Sequence, residues 1–184
     1  GNSADVVQCP HKALQILDFY EQRLVDPDYQ TSFLAPDSLE LSLSRFVAQL
    51  RQFDAQLADY IAQQSQHFLQ NATWIQGASL PDLEDSGYVA LAPGCTVRQA
   101  VVASSQFDPQ RFAYLIDRSI WDALPHQEKM GVLLHEVLYH LFHEQGHRSS
   151  QSLRRFVAFL SSSRFASTRP EEYRRVKSAL MLQP

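Results

Sequence analysis

The chain of 184 residues has an ordinary globular composition, with 45% hydrophobic and 20% charged residues. Its length is enough to bury one sizeable hydrophobic core, and we expect a single domain over residues 1–184. No apolar run approaches the roughly 20 residues that a membrane span needs. A net charge of −4 argues against nucleic acid or an anionic membrane as a partner.

The first predicted elements are helices. Pro10 and an apolar stripe predict a helix over 10–25. After Pro36, apolar residues recur every three or four positions in a heptad-like seam: Leu39, Leu43, Phe46, Leu50, Phe53, Leu57 and Ile61. Such a seam either binds a partner or packs against another helix of the chain, here the 10–25 helix. The second interpretation predicts a helical hairpin over 10–70. Residues 71–87 have the Gly, Pro and Asp content of a loop.

The residue composition changes in the middle of the chain. Segments 88–91, 97–103 and 112–117 are rich in Val, Ala, Tyr and Ile, and they predict a small antiparallel sheet of two or three strands. With the helices before and after it, this sheet makes the predicted fold class α+β and helix-dominated, as a single domain.

Three helices are predicted after the sheet. The first spans 125–146 and ends at a glycine, the usual C-terminal cap. Two more are predicted over 150–162 and 169–182. Thr168 and Glu171 have the spacing of a capping box at the start of the last helix.

Charge is unevenly distributed. Residues 1–122 carry a net charge of −8, and residues 123–184 carry +4. The basic residues after Gly146 are Arg148, Arg154, Arg155, Arg164, Arg169, Arg174, Arg175 and Lys177. Because they lie at helical spacing without interleaved aromatic residues, solvated faces of the last two helices are the favoured interpretation, and a basic patch for an anionic partner is the alternative.

The two cysteines, Cys9 and Cys95, do not form a Cys-x-x-Cys pair, so the sequence does not indicate a thiol redox site. One disulfide closing a long loop fits a secreted or periplasmic protein whose targeting segment has been removed. Two buried free thiols are the alternative.

The segment 132–147 contains candidate catalytic and metal-binding residues, because the dipeptide His-Glu occurs twice in it. A zinc peptidase helix places His at i and i+4, so that both rings reach one metal, with Glu at i+1 as general base. In the first register, His135-Glu136, position i+4 is Tyr139. The second register, His143 to His147, is formally complete, but it crosses the glycine that ends the helix.

Helix geometry places these side chains around the predicted 125–146 helix. At about 100° per residue, the side chains opposite the apolar face are Glu136, His140, His143 and His147. We expect this face to be exposed to solvent unless another element covers it. His135 and Tyr139 lie at the boundary of the apolar face, which is the more site-like location.

The run from Tyr114 through Trp121 to His135-Glu136 resembles the active-site region of zincin metallopeptidases, in which a strand precedes an apolar helix that carries the His-Glu pair. It also resembles a group of uncharacterised secreted bacterial proteins whose helix reads His-Glu-x-x-Tyr. The first resemblance implies a zincin-like core and a zinc-dependent peptidase acting on a peptide or protein substrate.

That resemblance implies roles for particular residues. Glu136 would be the general base, and Tyr139 stands where the second His is expected. The candidate zinc ligands are His135, His140, His143 and His147. A third ligand is expected on a downstream helix, where Glu171 and Glu172 are the acidic residues. Two alternatives stay open: a non-catalytic binding or structural module on a zincin-like scaffold, and metal binding by the histidine face without hydrolysis.

Overall fold

A computed structural model describes residues 4–81, 89–104, 113–147 and 149–181. In these ranges the chain forms seven α-helices, one short 3-10 helix and six short strands, so the α+β, helix-dominated class is confirmed. Among the described residues, no helix is long and apolar enough to cross a membrane.

The N-terminal segment is a strand pair followed by a helix: β1 (Asp5–Gln8), β2 (Gln15–Ile16) and α1 (Leu17–Val25). The helix predicted to begin at Pro10 is therefore wrong in its first half. Pro10 lies in the turn between β1 and β2, where His11 adopts a positive φ of 58°. Proline suits the first position of a turn as well as that of a helix, so the local signal was ambiguous.

The heptad-like seam is divided between two helices, α2 (Leu39–Arg51) and α3 (Ala55–Asn71), which pack against each other. The break occurs at Asp54, whose carboxylate caps α3 by accepting a 3.0 Å hydrogen bond from the Leu57 N–H. All seven seam residues are buried or half-buried in the main core, as expected for packing within the chain. The predicted hairpin, however, is α2 against α3 and does not include the 10–25 segment.

Two three-stranded sheets replace the single predicted one. The remaining strands are β3 (Ala72–Ile75), β4 (Thr96–Gln99), β5 (Val101–Ser104) and β6 (Ala113–Asp117). The first sheet has the order β2–β1–β4 and is antiparallel throughout. The second has the order β3–β6–β5, with β5 antiparallel to β6 but β3 parallel to it.

Two local expectations about the sheet region were wrong. The predicted 71–87 loop begins with β3, which follows α3 directly and has no turn signal before it. The predicted 88–91 strand is absent at residues 89–91, and Tyr88 lies outside the described residues. The predicted 97–103 segment is extended but is divided at Ala100 into β4 and β5, which belong to different sheets. The strand predicted over 112–117 is confirmed as β6, with Phe112 outside the described residues.

The short helix α4 (Arg118–Ala123) directly follows β6 and was not predicted. The three predicted helices are confirmed as α5 (His126–Glu144), α6 (Gln151–Ser161) and α7 (Pro170–Met181), with an unpredicted 3-10 helix at Phe165–Ser167. Gly146 adopts a positive φ of 88°, as a glycine after a helix C-terminus commonly does.

The predicted capping box is not formed. Helix α7 begins with Pro170, a favoured first residue because it has no N–H to leave unpaired. The Thr168 hydroxyl instead donates a 3.4 Å hydrogen bond to the Arg164 carbonyl. Glu171 forms an exposed ion pair with Arg174, at 3.4 Å.

Helix α5 is the centre of the core. It packs against α1, α2, α3 and α6, and every residue from Met130 to Leu138 is buried. Gly131 allows α1 to approach closely, because a Cβ at this position would lie 2.8 Å from two ring atoms of Phe19. A disulfide joins Cys9 to Cys95 and so links the start of the chain to the segment before β4.

Candidate functional site

The His-Glu pair of the first register lies in the middle of α5 and is buried on all sides. His135 is 1% exposed and Glu136 is fully buried. Glu136 was predicted on a face open to solvent unless covered, and the N-terminal segment covers it.

His135 is paired with an acidic residue of α1. Its Nδ1 atom lies 2.9 and 3.1 Å from the two carboxylate oxygens of Asp18, which is also buried. Burial disfavours the charged imidazole, but the charge and hydrogen bond of Asp18, with the charge of Glu136, raise the pKa of His135 above its usual value. At the other side of the ring, Nε2 is buried and has no hydrogen-bond partner among the described residues.

Glu136 binds the backbone of the N-terminal segment. Its Oε1 atom accepts a 2.6 Å hydrogen bond from the backbone N–H of Ala4, and its Oε2 atom is buried without a partner among the described residues. Burial raises the pKa of Glu136 to about 7, against the opposing effects of His135 and of the Ala4 hydrogen bond. The side chain is therefore poised between carboxylic acid and carboxylate near neutral pH.

A second carboxylate of α5 makes the same kind of contact two turns earlier. Glu128 accepts a 2.9 Å hydrogen bond from the Ile16 N–H and forms an ion pair with Arg23, at 2.8 Å. Burial raises the pKa of Glu128 although Arg23 opposes that effect. Helix α5 thus holds the N-terminal segment at Ala4, Ile16 and Asp18.

A buried cation close to the His135–Asp18 pair was not predicted from the sequence. Arg154 on α6 is 1% exposed, and it binds both carboxylate oxygens of Glu21, at 2.7 and 3.2 Å. It also donates a hydrogen bond to the Ser150 hydroxyl. Arg154 was expected on a solvated face, but its position three residues before Val157 places it on the apolar stripe of α6, and this signal was available in the sequence.

The other predicted histidines lie further along α5 in different surroundings. His140 was predicted on the face open to solvent unless covered, but it is buried, and its Nε2 is 3.5 Å from the Tyr114 hydroxyl. Burial, with smaller effects of His143 and His67, lowers the pKa of His140 to about 4, so the ring is neutral at physiological pH. His143 is exposed, as the face calculation predicted.

Tyr139 and His147 do not join the His135–Glu136 pair. Tyr139 is half-buried, and its ring centroid is 5.7 Å from that of His140 and 5.8 Å from that of His143. His147 lies beyond the end of α5, and its Nε2 is 3.0 Å from the Met181 carbonyl oxygen. The second register therefore lacks the two helical histidines that its sequence pattern requires.

These positions do not supply a zinc ligand set. Within residues 4–81, 89–104, 113–147 and 149–181, no group of three or more His, Cys, Asp or Glu side chains is arranged to hold a metal ion. The expected downstream ligands, Glu171 and Glu172, are exposed in the first turn of α7. A structural or catalytic zinc site needs at least three protein ligands around one point, so the described residues do not fit the metal.

No family model matches the chain, and comparisons with curated proteins and with solved structures found no similar protein. What the protein does is therefore inferred from its own residues, and its likeness to zincins stays a prediction.

Proposed function

We propose that this protein is a non-catalytic binding module in which the His-Glu pair has a structural role. The observation that carries the proposal is the 2.6 Å hydrogen bond from the Ala4 N–H to the fully buried carboxyl group of Glu136. A general base must reach a water molecule at the substrate, and Glu136 instead binds the protein's own backbone.

The neighbouring contacts support the same role. The His135–Asp18 pair joins α5 to α1, and Glu128 joins α5 to the Ile16 N–H. Each contact satisfies a buried polar group of the N-terminal segment, which would otherwise cost about 1–3 kcal/mol. The polar residues of α5 thus fix the N-terminal segment on the core.

A zinc-dependent peptidase is the second candidate, and one observation favours it. Metal-bound histidines usually present their second ring nitrogen to a carboxylate, as His135 presents Nδ1 to Asp18. The unpartnered Nε2 atom is the one that would bind the metal. Against this stands the absence of a three-ligand group among the described residues.

The metal content of the native protein, purified without a His-tag or chelator, separates the two candidates. The binding-module proposal predicts no stoichiometric zinc, even after incubation with zinc salt. About one zinc per chain that is lost in His135→Ala but retained in His143→Ala would overturn it. His143→Ala is the matched control, because this histidine is exposed on the same helix.

We also propose a secreted or periplasmic location. The support is the disulfide between Cys9 and Cys95, since disulfides persist mainly in oxidising compartments.

A further inference from the structure

A cleft between α1 and α6 leads from the surface to the partner of His135. Its volume is about 320 Å³, and Ala90 contributes to its wall. Asp18 and Arg154, both buried, lie at its base. Since a water molecule occupies about 30 Å³ in the liquid, the cleft has room for an organic molecule of roughly ten non-hydrogen atoms.

The acidic residues of the cleft already have basic partners. Asp18 is paired with His135, and Glu21 accepts hydrogen bonds from Nε and Nη2 of the Arg154 guanidinium. Arg155, at the edge of the cleft, is exposed and forms no ion pair with any residue that the structure describes. Among the described residues that line the cleft, Arg155 is therefore the charged side chain without an ion pair, and its positive charge favours an anionic ligand.

Two apolar side chains at the end of α1 also line the cleft. Leu24 is 49% exposed and Val25 is 78% exposed at the end of α1. Large apolar side chains exposed next to each other at a cleft commonly mark a binding site. A ligand that fills this cleft would thus place an apolar body on Leu24 and Val25 and a negative group near Arg155.

We propose that the cleft binds a carboxylate with a short apolar body, the carboxylate on Arg155 and the apolar body on Leu24 and Val25. The carboxylate is either that of a short fatty acid or the C-terminus of a peptide with an apolar last residue. Arg suits this role because its planar guanidinium binds both oxygens of a carboxylate. The proposal rests on the protein being a binding module, and it gives that module a ligand class.

Titration followed by amide NMR shifts of α1 and α6 tests the proposal on the full chain. Two probes represent the two sources, sodium hexanoate and N-acetyl-L-leucine, and each has a neutral analogue, 1-hexanol and N-acetyl-L-leucinamide. We expect saturable binding of at least one carboxylate, with a Kd of about 1 mM or below. Its neutral analogue should bind about tenfold more weakly, because it cannot form a charge-assisted hydrogen bond. The carboxylate that binds more tightly identifies the source.

Two exposed substitutions locate the binding. Arg155→Gln should remove the preference for the carboxylate, and Val25→Ser should weaken both members of the preferred pair. Arg174→Gln is the matched control, an exposed arginine on α7, and should change nothing.

Three outcomes would overturn the proposal: no saturable shift with either carboxylate, equal affinity for the neutral analogues, or equal effects of Arg155→Gln and Arg174→Gln. None of them depends on zinc. A failure here is therefore distinguishable from the failure of the binding-module function, which the metal content decides.

Discussion

The carboxyl group of Glu136 accepts a hydrogen bond from the Ala4 N–H, 132 positions earlier in the chain. This contact joins the central helix to the N-terminal segment just before β1. Since both groups are buried, neither can exchange this partner for water without a local opening of the core. The contact gives the His-Glu pair a function in folding that can be measured.

The cost of replacing Glu136 should depend on whether the new side chain keeps a hydrogen-bond acceptor. Glu136→Ala removes the acceptor, leaves the Ala4 N–H unpaired and opens a cavity, so we expect a loss of about 2–4 kcal/mol in the free energy of unfolding. Glu136→Gln keeps an acceptor at the same position without a charge, so it should cost less than about 1 kcal/mol. Urea denaturation at neutral pH measures both.

Near-equal losses in the two variants would contradict this account, because the hydrogen bond to Ala4 would then be unimportant. An exposed acid of the same helix provides the control: Glu144→Ala should shift the midpoint little.

The disulfide should be a major source of stability. Its two cysteines are 86 positions apart, and a crosslink that closes a loop of this length is worth about 3–5 kcal/mol in the loop-entropy account. We expect the double variant Cys9→Ser/Cys95→Ser to lose that amount in chemical denaturation. The wild type in reducing agent should match the variant. A wild type that keeps its full stability after complete reduction would show that the crosslink contributes little.

Much of the fold could be predicted from local pattern. Helix α5 has an apolar run bounded by Pro125 and Gly146, and the structure places it at His126–Glu144. The turn at Pro10 was not predicted, because proline begins helices and turns alike. Strand β3 was not predicted, because it follows α3 without a break in the sequence pattern.

The surroundings of the His-Glu pair could not be predicted in the same way. The partners of Glu136 and His135 are Ala4 and Asp18, more than 100 positions away, and no period in the sequence links residues so distant. The face calculation placed His143 correctly on an exposed side of α5, but Glu136 and His140, which it placed on the same side, are buried. It could not show that the N-terminal segment covers the polar side, because that covering is a property of the tertiary fold.

Acid should weaken the attachment of α7 to α3 through Asp54. Its carboxylate accepts hydrogen bonds from Lys177 and from the Tyr173 hydroxyl, the latter at 2.7 Å. Burial works to raise the pKa of Asp54, but the bonds from Lys177, Leu57 and Tyr173 outweigh it and lower the pKa below its usual value.

A lowered carboxyl pKa stabilises the folded state above the unfolded value of about 3.9, and that stabilisation is lost as the pH falls through the folded pKa. The free energy of unfolding should therefore decline below about pH 4, and Asp54→Asn should flatten that decline. At pH 7 the same variant should cost about 1–3 kcal/mol. Asp59→Asn, an exposed acid one turn along α3, is the control. If the free energy of unfolding declines below pH 4 in Asp54→Asn as steeply as in the wild type, this carboxylate is not the cause of the decline.

The close contact of α1 with α5 at Gly131 gives a prediction in which helix propensity and packing oppose each other. Gly131→Ala should gain about 1 kcal/mol from propensity in the middle of α5. However, the new methyl group would lie 2.8 Å from Phe19 and 3.0 Å from Ile16, and overpacking of this kind costs about 1–3 kcal/mol. Because both neighbours are buried in the core and have little room to move, we expect a net loss of stability.

A double-mutant cycle separates the two effects. Phe19→Leu should shorten the side chain that meets the new methyl group, so Gly131→Ala should cost less in that background than in the wild type. Urea unfolding of the four proteins gives the coupling energy, which should favour the double variant by about 0.5–3 kcal/mol. Additive effects would mean that the ring of Phe19 does not limit the space at Gly131, and that α1 can shift on α5 without loss. Coupling of the expected sign would show that a glycine sets the distance between the two helices joined by Asp18 and His135.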